Sequence, residues 1–436
     1  MAAGEADLPA PGASPGISVR QAGYLRRYGA VALAALCGPG LIVMLADTDA
    51  GSVITAAQSG ARWGYEMILP QLLLVPVLYV VQEMTVRLGI STGRGHGALI
   101  RSCFGPWWAL LSAGTLFLSS VGALITEFAA VAGVGEMFRV SRWVTIPVAS
   151  VFLVGLSFAG SYRRAERVGI CVGLTELAFI PAMVMSHLSA SAVAHGMITL
   201  PVGNAGYLYL LAANVGAVIM PWMIFYQQGA VIDKGLGPAA LSGERRATAA
   251  GALVTQVIMI AVVVILAATL GRRAASGGAS LNSVGDISAA LRPFLGDMGS
   301  RVLFGAGILG AALVAALVSS LAGAWGLAEI FGWKHTLNER PSRRTAGFYA
   351  AYAFAHVAGA ALVLASVDLV SLAVDAEVMN AVLLPVVLGF LVALERRALP
   401  PSQRMRGARK AVAWGLCLVV MGFGMYMIPS LLGLTG

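Results

Sequence analysis

Gly38-Pro39-Gly40, then Leu41-Ile42-Val43-Met44-Leu45-Ala46, then Asp47-Thr48-Asp49-Ala50-Gly51-Ser52 lie inside the first apolar segment of a 436-residue chain. This stretch puts two carboxylates where a bilayer interior is expected. A charge at that depth is costly and normally faces a cavity, a partner or an ion pathway. Gly51 and Ser52 are poor helix formers, so the helix is expected to unwind beside Asp49. Unwinding frees backbone carbonyls, which a membrane tolerates only where they line a cavity or find new partners. Carboxylate oxygens beside freed carbonyls describe a site for a hard cation. The competing reading is an Asp that only caps the following half-helix; the cost of an acid at this depth favours the ion site.

The rest of the composition fits that setting. The chain is 58% hydrophobic and 11% charged, with a mean hydropathy of +0.83. Such a balance excludes a soluble domain and indicates an all-α integral membrane protein. Cys37, Cys103, Cys171 and Cys417 have no paired spacing and make neither a disulfide framework nor a CxxC metal site. Residues 1–27 are expected to be a disordered cytoplasmic tail; 1–19 are rich in Ala, Gly and Pro and lack the apolar core of a signal peptide.

Eleven apolar segments are long enough to span: roughly 28–58, 65–88, 105–138, 144–160, 166–188, 206–231, 247–270, 301–332, 346–366, 368–395 and 410–433. With the N-terminus in the cytoplasm, 22 of the 29 basic residues fall on the cytoplasmic side, including Arg87, Arg94 and Arg101, Arg245 and Arg246, and the run from Arg396 to Lys410. The outer side holds Arg62, Arg139, Arg142, Arg272, Arg273, Arg292 and Arg301. That asymmetry predicts a cytoplasmic N-terminus and an extracellular C-terminus. It also assigns the net charge of +9 to membrane orientation and not to a nucleic-acid partner. The outer loop at 271–300, rich in Gly, Ser and Ala, reads as flexible.

The sixth segment carries a second interruption, Ala217-Val218-Ile219-Met220-Pro221-Trp222. Pro221 removes a backbone donor and clashes with the preceding turn, so the helix should break near Ala217–Met220. Broken helices five spans apart point to two inverted repeats with a site at mid-membrane.

At these residues the chain resembles the NRAMP family of divalent-metal transporters. That family's first helix carries Gly-Pro-Gly and, nine residues on, Asp-Pro-Gly-Asn; here the match is Gly38-Pro39-Gly40 and Asp49-Ala50-Gly51-Ser52. Its sixth helix carries Ala-x-x-Met-Pro-His, matched by Ala217 to Trp222, and Arg87-Leu88-Gly89-Ile90-Ser91-Thr92-Gly93-Arg94 is similar too. The resemblance implies a LeuT-type fold: a core at 28–395 made of two inverted five-helix repeats, about 28–188 and 206–395, plus an added helix at 410–436. It implies a metal site formed by Asp49, Ser52, Ala46, Ala217, Met220 and Glu377. Asp47, Glu127, Gln227, Lys234 and Asn380 would stand in the ion pathway or around the ligands.

The departures have a chemical direction. Ser52 stands for the family's Asn, Ala50 for its Pro, Trp222 and Gln227 for its two histidines, and Ala130 for one acid of its third helix. Those losses remove groups that titrate near neutral pH. Asp47 and Glu377 add hard oxygen, which suits Mg²⁺ and Mn²⁺. The pattern therefore looks like the NRAMP-related magnesium transporters. Met220 pulls the other way as a soft thioether, and it reads equally as a ligand or as apolar filler. Glu83 and Glu176 read as interhelical hydrogen-bond partners outside the site, and His96, His187 and His195 as solvated.

The implied activity is import of Mg²⁺ and Mn²⁺ by alternating access with weak or no proton coupling. The alternative is a proton-coupled Mn²⁺/Fe²⁺ importer. An amino-acid carrier on the same fold is weaker, because two acids would repel a substrate carboxylate. No HExxH, GxSxG or nucleotide-binding loop supports an enzyme, and no cofactor is expected beyond the transported cation. The bilayer is the one other partner the sequence indicates; it leaves the oligomeric state open.

Overall fold

The computed structural model describes residues 47–158, 174–186, 188–270, 281–333, 343 and 345–431. The expectations for the N-terminal tail, Gly38-Pro39-Gly40, Ala46, Cys37, Cys171 and His187 lie outside those residues. What is described is helical, in keeping with the apolar runs. In chain order the α-helices are α1 (Ala50–Trp63), α2 (Ile68–Thr92), α3 (His96–Phe104), α4 (Pro106–Met137), α5 (Arg142–Phe158), α6 (Phe179–Met185) and α7 (Ala190–Ile198). They continue as α8 (Ala205–Val218), α9 (Pro221–Asp233), α10 (Leu241–Thr269), α11 (Val284–Phe331), α12 (Ala346–Ala365), α13 (Leu369–Arg397) and α14 (Gly407–Leu431).

Among the described residues eight helical stretches are long and apolar enough to cross a membrane, or nine if the bent pair Leu174–Met185 and Ala190–Ile198 forms one span. The eleven expected spans are therefore not matched one for one. The first span enters the description only at Asp47, and α1 joins α2 through the 3₁₀ turn Gly64–Met67, so the two make one continuous stretch. The helix α5 is short, at 17 residues.

The expectation of a flexible outer loop is corrected in part. Residues from Val284 are helical, because Ser283 and Asp286 form a reciprocal capping box: the Ser283 hydroxyl accepts from Asp286 N at 3.3 Å, and Asp286 Oδ2 accepts from Ser283 N at 3.0 Å. Gly296, with φ 71°, kinks the helix and turns the outer arm into the eighth apolar segment.

Packing puts the half-helix α1 at the centre. It lies against α10, α8, α13, α11 and α4. Small residues allow the close approach usual between membrane helices: a Cβ at Gly60 would overlap the Val263 backbone of α10. Around this core the outer faces are apolar and exposed, as at Trp107, Val148, Val151 and Val419. In water such a surface would be unfavourable; against acyl chains it is not.

Candidate metal site

The second interruption is present, and of the first the described residues show only the side that runs into α1. Asp47, Thr48 and Asp49 are non-helical, and the helix begins at Ala50, so Gly51 and Ser52 lie in its first turn and do not unwind it. Asp49 is the N-cap. Its Oδ1 accepts from Ser52 N at 2.7 Å. The capping reading and the ion-site reading are thus compatible, because one oxygen caps and the other, Oδ2, is buried with no hydrogen-bond partner. The second interruption falls where Pro221 predicts it. The helix α8 stops at Val218, Ile219 is non-helical, Met220 is extended, and Pro221 occupies the first turn of α9, where its missing N–H costs nothing.

The two interruptions touch. Ser52 Oγ donates to the Ala217 carbonyl at 3.1 Å. Glu377 of α13 packs on α1 from the other side, so closely that a Cβ at Gly51 would overlap its Oε1. Its Oε2 accepts from Asn380 Nδ2 at 3.0 Å, and Asn380 Oδ1 accepts from Ser119 Oγ at 2.8 Å. Glu377 Oε1 itself is buried without a hydrogen-bond partner. Glu127 of α4 lies beside Asp49, accepting from Ala50 N at 3.4 Å and from Thr126 Oγ1 at 3.2 Å. Asp47 is 1% exposed and both its oxygens lack partners, as do both polar atoms of Gln227. Such groups are rare in folded proteins, where buried polar atoms are nearly always paired. Asp47, Asp49 and Glu377 lie close enough to act on one another, which makes this group the candidate site.

Among the described residues no three His, Cys, Asp or Glu side chains close to metal-holding distance. A cation here must draw on the Ser52 hydroxyl, backbone carbonyls and water as well as on carboxylates. The soft candidate has a partner already: Met220 Sδ accepts from Trp222 Nε1 at 3.0 Å. Lys234 does not join the group. It sits at the exposed C-terminal end of α9, about 20 Å of helix from Met220.

One residue departs from its sequence reading, and two acids outside the site make contacts between segments. His96 is not solvated: it is buried, with Nδ1 2.8 Å from Gln228 Oε1, and burial, only partly offset by that contact, holds its pKa down to about 4. Glu176, read as an interhelical hydrogen-bond partner outside the site, is 3% exposed and has the Thr48 hydroxyl on its carboxylate. Glu83 anchors a charged clasp at the arginine-rich end. Its Oε1 meets Arg87 Nε at 3.3 Å, Arg245 Nε at 2.8 Å and Arg409 Nη2 at 2.7 Å, while Arg87 also reaches Glu395 at 3.3 Å. Arg245 stands on α10 and Arg409 on α14, so Glu83 is the interhelical partner that its sequence setting suggested.

Comparison with known proteins bears on what this geometry serves. The family model described as "Nramp: Natural resistance-associated macrophage protein-like" matches residues 40–430. The chain is 24% identical over 421 residues to the divalent metal cation transporter MntH of Acidiphilium cryptum, covering 91% of each chain. It is 26% identical over 307 residues to the divalent metal cation transporter MntH 1 of Pseudomonas aeruginosa, covering 67% of this chain and 68% of the relative. In three dimensions it superposes on the manganese transporter of Eremococcus coleocola with a TM-score of 0.72 at 17% identity, over 92% of this chain and 87% of that one. The nucleobase-cation-symport-1 transporter Mhp1 gives 0.60 at 14% identity, over 91% and 92%. The fold is that of the LeuT-type transporters.

Proposed function

The chain belongs to the Nramp family, and on that premise we propose that it moves Mg²⁺ and Mn²⁺ into the cell through a site centred on Asp49. Transport of a divalent metal cation across a membrane comes with the family; the choice of metal, the coupling and the ligands are this reading's own.

The observation that carries it is the meeting of the two interruptions, Ser52 Oγ on the Ala217 carbonyl, flanked by the unpartnered oxygens Asp49 Oδ2 and Glu377 Oε1. Two carboxylates offset the charge of one divalent cation. The Ser52 hydroxyl and the carbonyls near Ala46 and Ala217 add hard oxygen, and Ser52, shorter than Asn, leaves room for a metal-bound water. Mg²⁺ gives up water reluctantly and suits such a shell, and Mn²⁺ shares its preference for oxygen. Met220 would stand at the edge of this set, its sulfur competed for by the Trp222 indole N–H. Gln227 and Asn380 would hydrogen-bond the ion's water or its ligands. The half-helices α1, α8 and α9 end at the site, so small rotations about their junctions would expose it alternately to each side. Trp222, Gln227 and Ala130 in place of titratable groups support weak or absent proton coupling. The excess of arginine at the Glu83 end supports placing that end, and the N-terminus, in the cytoplasm.

A second reading, a proton-coupled Mn²⁺/Fe²⁺ importer, has Met220 and the buried Glu127 in its favour. Uptake of Mn²⁺ into proteoliposomes, with Mg²⁺ as competitor and internal pH followed, separates the two. Inhibition by millimolar Mg²⁺ with little acidification supports the first. Insensitivity to Mg²⁺ with acidification that scales with uptake refutes it in favour of the second.

A further inference from the structure

We propose that the basic cluster where α13 turns into α14 binds the headgroup phosphate of an anionic phospholipid, whose acyl chains lie along the apolar faces of α4 and α14. The residues from Arg396 to Lys410 hold six basic side chains and no acid. An excess of that kind orients a membrane protein. Orientation needs only charge in a loop, whereas here the charges are held in place. Arg396 Cζ stands 5.8 Å from the centre of the Trp414 ring, and Lys410 Nζ stands 4.7 Å from the same ring. Arg397 Cζ lies 4.6 Å over the Phe104 ring, and its Nη1 donates to the Cys103 carbonyl at 3.4 Å, which joins the end of α13 to the end of α3. Phe390, two turns earlier on α13, meets Phe104 and Trp108 edge-on at 5.7 and 6.0 Å. Three cations therefore rest on aromatic rings packed between helices.

No acid answers these charges. Among the described residues none of the ion pairs includes Arg396, Arg397 or Lys410. Glu395 and Glu83, the acids of the neighbouring clasp, are buried and committed to Arg87, Arg245 and Arg409. Two cations on one indole repel each other, and the ring's face attracts them without neutralising them. The first turn of α14 carries Arg409 and Lys410 and no acid, although a helix N-terminus favours an anion over a cation. An anion held at this point answers all of these. The surroundings decide its kind. Trp107 and Trp108, 81% and 54% exposed, open the apolar face of α4, and Leu418 and Val419 are exposed on α14. Exposed indoles mark the bilayer's interfacial level, and basic pockets between helices at that level suit lipid headgroups. A free phosphate or an acidic peptide would use the cations and leave the apolar faces unmatched; a phospholipid uses both. The headgroup must carry net negative charge, because a zwitterionic one would bring a further cation to Arg396 and Lys410.

The test is thermal unfolding of the purified, delipidated full chain in detergent, with phosphatidylglycerol, phosphatidylcholine or inorganic phosphate added at equal concentration. The site predicts a Tm higher by about 2 °C or more with phosphatidylglycerol than with phosphatidylcholine. Inorganic phosphate should give no such rise, and the difference between the lipids should vanish in Arg396→Gln/Lys410→Gln. The variant Arg292→Gln/Arg301→Gln removes the same formal charge from α11 and should keep the difference. A second measurement needs no variant and serves should Arg396→Gln/Lys410→Gln fail to fold. In reconstituted wild type, acyl-brominated phosphatidylglycerol should quench indole fluorescence more than acyl-brominated phosphatidylcholine in vesicles of otherwise identical composition. Equal shifts with the two lipids, a shift reproduced by inorganic phosphate, a difference unchanged in Arg396→Gln/Lys410→Gln or lost equally in both double variants, or equal quenching by the two brominated lipids would overturn the inference.

Discussion

Gly51→Ala adds one methyl group at the point where α1 meets α13, and its effect can be worked out from the contacts there. On a solvent-exposed helix the same change is favourable by about 1 kcal/mol, because Ala is the better helix former. Here the new Cβ would overlap Glu377 Oε1 and lie 2.8 Å from Thr126 Cβ and 2.9 Å from Thr126 Oγ1, all of them buried. Overpacking of that kind costs about 1–3 kcal/mol. The softest response is for Glu377 to swing away from α1, since its Oε2 is tethered by Asn380 and only Oε1 is free to move. The carboxylate would then leave the cation, and the same 1–3 kcal/mol would appear as Mn²⁺ binding weaker by roughly 5- to 150-fold. Calorimetric titration of Mn²⁺ into the purified protein measures this, with thermal unfolding alongside. A variant with a raised Tm and a Kd within twofold of wild type would show that Glu377 does not press on α1 and is not part of the site.

Further outcomes follow from other contacts. Met220→Ala should leave the Mg²⁺ to Mn²⁺ preference in competitive uptake nearly unchanged if the thioether only packs against Trp222, and should weaken Mn²⁺ or Cd²⁺ selectively if it is a ligand. His96 is held neutral by burial, its pKa lowered to about 4 against an ordinary 6.5. Its contribution to stability is therefore fully present above pH 6.5 and is lost as pH falls toward 4, about 2 kcal/mol of it by pH 5. Thermal unfolding of His96→Gln should accordingly lose less between pH 7 and pH 5 than the wild type does. Glu83→Gln leaves the buried Arg87 with Glu395 as its remaining carboxylate partner and should destabilise the protein by about 3 kcal/mol in chemical or thermal unfolding; an unchanged Tm would show the clasp to be incidental.

What the sequence disclosed, and what it did not, divides along the range of the interactions. The helical membrane architecture was legible because a bilayer forces long apolar runs, and the second interruption because Pro221 acts on its own helix. Of the first interruption the described residues show only the start of α1 at Ala50. Gly51 and Ser52 read as helix breakers on propensity, but Gly51 is small because Glu377 lies against it, and Ser52 is tied to the Ala217 carbonyl 165 positions away. Asp49, Glu127 and Glu377 were found as costly intramembrane acids, and the structure brings them together. Asn380 reaches Glu377 as a neighbour three positions on. Lys234, at the exposed end of α9, is too far along the helix to touch ligands at Met220, which leaves the ion pathway as its proposed place. His96 reads as solvated because it falls in a Gly-rich loop. Burial and partners are set by packing between distant segments, so the sequence could not show that His96 is buried against Gln228.

The measurement that tests the central claim most directly is Mn²⁺ uptake into proteoliposomes by the wild type and by Asp49→Ala, matched for reconstituted protein and for thermal stability. The site predicts saturable uptake by the wild type and background uptake by the variant, because the removed carboxylate is the one that offsets cation dehydration at the first interruption. An Asp49→Ala protein that folds and still carries Mn²⁺ at near the wild-type rate would contradict it.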